Sequence, residues 1–188
     1  MRVIAGSAGG IPLKIPAHDA RATMDRVRSA VFSALGERVL NARVLDLFAG
    51  SGAFGIEALS RGATRAVFVD NHRKAVEVIR ANLEKTRLAG RVICRDVFRF
   101  LESCETQFDL IFADPPYVKQ RKDRDFAVEL CVVPALKRSL APDAVFVLEQ
   151  AASRPSKPVS GWRLLRARRY GATEILFLTR APNVLSPE

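Results

Sequence analysis

The stretch LDLFAGSGAFGIEA, residues 45–58, constrains this chain more than any other. An apolar run leads into a glycine loop, and the loop leads into a helix-forming segment. Gly50, Gly52 and Gly55 match G-x-G-x-x-G. Glycines there let the backbone turn sharply and bring a ligand against main-chain N–H groups at a helix N-terminus. The alternation continues on both sides. Residues 24–37 read as a helix, because Val27, Ala30, Val31, Ala34 and Leu35 share one face; Thr23 is its expected N-cap, with Asp25 in the first turn. Strands are expected at 43–48, 65–70, 91–95, 108–113 and 144–149. Helices are expected at 53–61, 72–86 and 97–104, and at 124–140 with a break at Pro134. WRLLRARRY and EILFLT, joined by GAT, read as an antiparallel pair. Near-continuous apolar strands alternating with helices predict a mostly parallel sheet covered on both faces, an α/β fold. Residues 1–16 read as a short hairpin or arm, with RVIAG and IPLKIP flanking a GSAGG turn. There is no internal repeat or low-complexity segment, and 188 residues suit one domain.

The acidic residues narrow the ligand. Asp46 lies inside the first strand, four residues before Gly50. A carboxylate there repels a pyrophosphate. It suits a ligand that carries an ammonium and a sulfonium, and S-adenosylmethionine is such a ligand. Asp70 ends the next strand, where a carboxylate accepts ribose hydroxyls; that suits any adenosine and does not choose between ligands. Asp96 follows the third strand, placed for an adenine amino group. Asp114 ends the fourth. Any one of these is as readily a helix cap or a turn residue. Four at successive strand ends, each beside a buried strand, point to the crevice where doubly wound sheets bind ligands.

FADPPYV, residues 112–118, adds the chemistry. Asp114 and Pro115 both precede a proline, which makes the segment stiff. The Asp114 carboxylate and the Pro115 carbonyl can hold the two hydrogens of an exocyclic amine. Tyr117 can stack on the attached base, a contact worth roughly 1–3 kcal/mol. Such an amine is a poor nucleophile because its lone pair is delocalised into the ring. Accepting its hydrogens pushes the lone pair toward a reacting carbon, so positioning and electrostatics replace a strong base. His18 and His72 have no motif context and read as surface residues.

Thirty Lys and Arg against twenty Asp and Glu give a net charge of +10. A field of that sign attracts polyanions. Arg154, Lys157, Arg163, Arg166, Arg168 and Arg169 form one basic cluster and KQRK, from Lys119, another. Cys94, Cys104 and Cys131 are odd in number and lack a C-x-x-C spacing, which indicates neither a disulfide framework nor a metal site and suits the cytoplasm. MRVIAGSAGG does not read as a signal peptide. No apolar run nears the ~20 residues of a membrane helix.

LDLFAGSGAFGIEALSRGA, VFVDNHR and FADPPY resemble class I S-adenosylmethionine-dependent methyltransferases of the amino-methylating D/N-P-P-Y/F/W type. MRVIAGSAGG, RATMDRVRSAVFSAL and YGATEILFL are similar, more specifically, to the bacterial 16S rRNA guanine-N2 methyltransferases of the RsmD family. The resemblance spans nearly the whole chain. It implies a Rossmann-like seven-stranded sheet, mostly parallel with an antiparallel last strand. It implies one methyltransferase domain, with residues 1–22 as an RNA-contacting arm and 23–188 as the catalytic core. Asp46, Phe48, Ala49, Gly50, Ser51 and Gly52 would line the methionine side of the cofactor. Asp70 and Asn71 would hold the ribose edge, and Asp96 with Val97 the adenine. Asp114, Pro115, Pro116 and Tyr117 would hold the target guanine. Arg2, Lys14, Arg21, Arg26, Lys119, Arg121 and Lys122 are the expected RNA contacts. Ala22 stands where the family usually has proline, which loosens the junction between arm and helix.

The expected function is methylation of a guanine N2 amine in 16S rRNA, within an assembling or assembled small ribosomal subunit, by a cytoplasmic monomer. A DNA adenine-N6 methyltransferase would use the same chemistry but needs a target-recognition domain. A protein-glutamine methyltransferase would leave the basic surface without a purpose. A non-catalytic RNA-binding assembly factor would not need DPPY, and a dehydrogenase conflicts with Asp46.

Overall fold

The computed structural model describes residues 1–15, 24–118, 124–153 and 160–182. Helix α1 (Met24–Leu35) runs into a 3-10 turn (Gly36–Val39). Then β1 (Arg43–Leu47), α2 (Ala53–Ser60), β2 (Arg65–Asp70), α3 (Arg73–Thr86), β3 (Arg91–Cys94), α4 (Val97–Glu102) and β4 (Phe108–Ala113) alternate. The helical region that follows is split into α5 (Phe126–Val132) and α6 (Pro134–Arg138), with Pro134 opening the second piece. A proline lacks the N–H a continuing helix needs but fits a first helical turn. Strand β5 (Leu140–Ala151) is twice as long as the six residues expected, because its ends pair beyond the apolar stretch. The hairpin β6 (Trp162–Tyr170) and β7 (Thr173–Arg180) closes the described chain.

The seven strands lie in the order β3-β2-β1-β4-β5-β7-β6. The pairs among β1 to β5 are parallel, and β7 runs antiparallel to both β5 and β6. This is the expected mixed α/β sheet. Side chains of successive strand residues go to opposite faces. Val44, Leu110, Phe112, Val145 and Val147 therefore pack on one face against α1, α2 and α3. Leu45, Leu47, Ile111, Phe146 and Leu148 pack on the other against α4, α5 and α6. Asp46 alternates with Leu45 and Leu47, so it lies on the α1–α3 face near the C-terminal end of β1. The order reverses between β1 and β4, which puts the ligand crevice at those two strand ends.

The N-terminal arm is docked along α2 and α3. A bridge joins Arg2 and Pro12, and Gly10 N donates to Val3 O at 2.8 Å. Glu57 of α2, fully buried, accepts Ile4 N at 2.7 Å and Ala5 N at 3.1 Å. Ser60 Oγ donates to Ala5 O at 2.6 Å and accepts Ala8 N at 2.9 Å. Gly6 passes so close that a Cβ there would lie 1.8 Å from Ser60 O. Arg28 of α1 is buried as well. Its guanidinium bonds the carbonyl of Arg2 and pairs with Asp25 at 3.0 Å, while Glu57 lies 3.7 Å away. Breaking one partner of such a buried set costs about 3–5 kcal/mol, so the arm belongs to the folded body. Among the described residues no helix is long and apolar enough to cross a membrane.

Candidate active site

A cleft of about 2030 Å³ opens at the C-terminal ends of the parallel strands. That exceeds the 300–1,000 Å³ usual for one small ligand. A cofactor and an acceptor group fit in it together. Its wall brings together Asp46, Phe48, Ala49, Gly50, Ser51, Asp70, Asn71, Asp96, Val97, Asp114, Pro115, Pro116 and Tyr117. These are all the expected cofactor and acceptor residues except Gly52. Gly52 sits behind the wall, at φ 75° as the N-cap of α2, and a Cβ there would lie 3.2 Å from Ile79 and 3.3 Å from Phe68. It shapes the loop rather than lining the cleft. Gly55 does the same for packing: a Cβ there would lie 2.3 Å from the buried Phe68 ring.

The glycine loop is held by carboxylates. Asp46 Oδ2 accepts Gly55 N at 2.9 Å. Asp70 Oδ2 accepts Gly50 N at 2.9 Å, and its Oδ1 accepts His72 N at 2.9 Å. Asp70 therefore fixes the loop from behind while still facing the cleft. Each carboxylate oxygen has a second lone pair for a ligand hydroxyl. Asp96 is the N-cap of α4: Oδ1 accepts Phe98 N at 3.0 Å and Arg99 N at 3.1 Å. Phe48 holds φ 54°, a conformation bulky side chains avoid at a cost of roughly 1–3 kcal/mol. That turn sets its ring 5.5 Å from Phe126, which lies 6.1 Å from Phe98. Phe48 and Phe126 give the cleft an apolar, aromatic wall, with Phe98 packed behind them. Phe126 carries no motif, and only the fold reveals it.

Burial pushes the Asp46 carboxyl up to about 8; the Gly55 N–H draws it back and the nearby Asp70 charge adds to the rise. At neutral pH the group is mostly protonated. A cation set against it would favour its ionised form, because the ion pair offsets desolvation. An ammonium- and sulfonium-bearing ligand has that chemistry, and a dinucleotide pyrophosphate does not. The residues present fit S-adenosylmethionine.

The opposite side of the cleft is built from three strands. Asp114, Pro115 and Tyr117 follow β4. Tyr117 Oη donates to Glu149 Oε1 of β5 at 2.8 Å and lies 2.9 Å from Thr173 Oγ1 of β7. Burial, with the Glu149 and Asp114 charges, keeps this phenol protonated far above neutral pH. Its ring is thus pinned by its tip. Glu149 and Thr173 are functional candidates absent from the sequence reading. Glu149 ends the expected strand 144–149, so the acid-at-strand-end signal used for the other four applied to it too.

Among the expected RNA contacts, Arg2, Lys14 and Arg26 are exposed, and Arg26 reaches the cleft wall. Asn82, fully buried, accepts Lys14 N at 2.8 Å and donates to Lys14 O and Ser51 O, each at 2.9 Å. It ties the arm to the glycine loop. Arg21, Lys119, Arg121 and Lys122 lie outside the described residues, as do Ala22, Thr23, Arg154 and Lys157. Arg163, Arg166, Arg168 and Arg169 stand exposed on β6, which is the last strand of the sheet.

The Bacillus subtilis protein YlbH is 42% identical over 127 residues, 64% of this chain and 69% of that protein. The Haemophilus influenzae ribosomal RNA small subunit methyltransferase D is 30% identical over 177 residues, 91% of this chain and 89% of that protein. The structure of Escherichia coli yhhF superposes with a TM-score of 0.81 at 30% identity, covering 96% of this chain and 97% of that one. A Thermus thermophilus 16S rRNA N2 methyltransferase, RsmC, in complex with AdoMet and guanosine, shares the fold (TM-score 0.71, 23% identity, 88% of this chain, 44% of that one). Residues 1–179 match the model of the family described as Conserved hypothetical protein 95, and the chain belongs to that family, the RsmD family its motifs resemble.

Proposed function

We propose that this protein is an S-adenosylmethionine-dependent methyltransferase that modifies the N2 amine of a guanine in 16S rRNA. The observation that carries the reading is the single cleft in which a buried, cation-seeking Asp46 and the stiff Asp114-Pro115-Pro116-Tyr117 segment face the same space. Asp46, Phe48, Ala49, Gly50 and Ser51 would hold the methionine end of the cofactor. Asp70 and Asn71 would hold the ribose, and Asp96 and Val97 the adenine. When bound, S-adenosylmethionine supplies the methyl group.

The acceptor residues do the rest. Tyr117 stacks under the base and fixes its plane. The Asp114 carboxylate and the Pro115 carbonyl accept the two amine hydrogens, which turns the nitrogen lone pair out of conjugation. Once the amine has taken up that methyl group, its surplus proton would leave along the hydrogen bond to the Asp114 carboxylate. The base must be unstacked to reach a pocket of this depth. Arg26 at the cleft wall and the exposed Arg2 and Lys14 of the arm would contact the RNA, and the exposed arginines of β6 add to the positive field. We further propose one domain, with residues 1–22 as an RNA-contacting arm, acting as a cytoplasmic monomer on a small-subunit particle.

The test is methyl transfer from radiolabelled S-adenosylmethionine to three acceptors: small subunits lacking the modification, bare 16S rRNA and duplex DNA. The expected order is particle, then bare rRNA, with nothing on DNA. Label on DNA would keep the chemistry and move the substrate to the rival adenine reading. Cofactor binding without transfer to any acceptor would favour an assembly factor.

A further inference from the structure

We infer that the α1–α3 face of β6 is a track for the single-stranded RNA that flanks the target base, with Tyr170 stacking on a neighbouring base and Arg168, Arg166 and Arg163 holding successive phosphates; this rests on the methyltransferase reading above. The track starts at the cleft. Tyr170 ends β6 and pairs with Thr173 of β7. Thr173 Oγ1 lies 2.9 Å from Tyr117 Oη. Tyr170 and Thr173 both line the cleft. The strand therefore leads away from the place where the target base is proposed to sit.

Register decides which side chains share a face. Phe177 and Ile175 of β7 pack on the α1–α3 face, and their partners on β6 are Arg166 and Arg168. Tyr170 packs on that face as well. Leu164 and Ala167 pack on the other. In a regular strand Arg163 would fall out of line with Arg166, because an interval of three residues changes face. A bulge between Leu164 and Arg166 takes up the odd residue, Leu165, and brings Arg163 into the row. Arg163, Arg166 and Arg168 are all exposed. On the opposite face, Arg169 has Glu174 as its cross-strand neighbour.

The row has the chemistry of a nucleic-acid strand. Alternate residues of a β-strand stand about 6.7 Å apart, close to the step between neighbouring phosphates of an extended chain. A guanidinium meets a phosphate with two parallel hydrogen bonds. An aromatic ring at the head of the row gives a base a face to stack on. Charge on an edge strand also guards it against pairing with another chain. That need is met by either sign, yet β6 carries four arginines and no acid. A sheet face with one ring and a line of cations fits splayed single-stranded RNA, the form in which a target base becomes accessible.

The test compares the double variant Arg166→Gln/Arg168→Gln with Arg65→Gln/Arg91→Gln. The second pair is exposed too, but it lies at the N-terminal ends of β2 and β3, away from the cleft. Binding of bare 16S rRNA is measured against KCl concentration, and methyl transfer is measured on unmodified small subunits. The β6 pair should flatten the log–log salt slope by about 1.4, which is two contacts at about 0.7 each on a single strand, and raise KM for the particle about 10-fold. Its kcat and its affinity for S-adenosylmethionine should stay within about 2-fold of wild type. The control pair should leave slope and KM unchanged. Tyr170→Trp should keep the wild-type KM, while Tyr170→Leu should raise it about 5- to 100-fold; a residue that only fills the core would tolerate leucine better than tryptophan, and that order would remove the stacking role. Equal effects from the two arginine pairs would overturn the track and leave only the net field. A raised KM on particles with an unchanged slope on bare rRNA would overturn it in favour of an acidic protein partner. Failure of the methyltransferase reading itself would show differently, as no transfer by wild type while rRNA binding and its slope persist.

Discussion

On the β1–β3 side of the cleft, Asp46, Asp70 and Asp96 are held by backbone N–H groups a few residues to about twenty residues away. On the β4–β5 side, Tyr117 is held by side chains 32 and 56 residues away, Glu149 and Thr173. The first half is a local device: a strand, its loop and the next strand make most of it. The second half exists only once β5 and β7 have joined the sheet. The half proposed for the cofactor is therefore built largely from local contacts, while the half proposed for the acceptor depends on long-range assembly. Substitutions should separate the two halves.

The largest effect is expected for Asp114→Ala. Loss of the group that accepts the amine hydrogens should lower the rate of methyl transfer about 10³-fold or more. Calorimetric affinity for S-adenosylmethionine should stay within about 2-fold. Next comes Glu57→Gln, which leaves Arg28 buried beside a neutral partner and loosens the arm. Unfolding in urea should show a loss of about 3 kcal/mol, with weakened RNA binding in filter assays of the protein that remains folded.

Tyr117→Ala should cost roughly 10- to 100-fold in kcat/KM through lost stacking, again without changing cofactor affinity. Asp46→Asn should do the reverse, weakening the cofactor about 10- to 100-fold. Its pH behaviour has a definite sign. The folded carboxyl titrates near 8 and the unfolded one near 3.8. The folded state holds a proton that the unfolded chain has released, so stability declines as pH rises from about 4 to about 8. The asparagine variant loses that slope and should melt higher than wild type at pH 8.5 without cofactor. Wild-type affinity for S-adenosylmethionine should climb through the same window, with about one proton released on binding. The smallest change is Gly55→Ala, which crowds Phe68 and should cost about 1–3 kcal/mol of stability.

The same contrast explains what was legible in the sequence. Gly50, Asp46 and Asp70 were readable because their partners lie nearby and their spacing follows strand and loop geometry. The split at Pro134 was readable because proline acts locally. Residues whose meaning depends on a distant partner were not. Glu57, Ser60 and Asn82 look like ordinary polar positions on helices, yet each is buried to hold the arm. Thr173 gains its role only because β7 runs antiparallel beside β5. Asp96 lies at the cleft wall, and its hydrogen bonds make it the cap of α4, which spacing alone does not distinguish from adenine binding.

The measurement that tests the central claim most directly identifies the atom that receives the methyl group. Unmodified small subunits are incubated with labelled S-adenosylmethionine and the wild-type protein, and the rRNA is digested to nucleosides. The account predicts a single labelled product, N2-methylguanosine. Label in any other nucleoside, or none with cofactor bound, would contradict it.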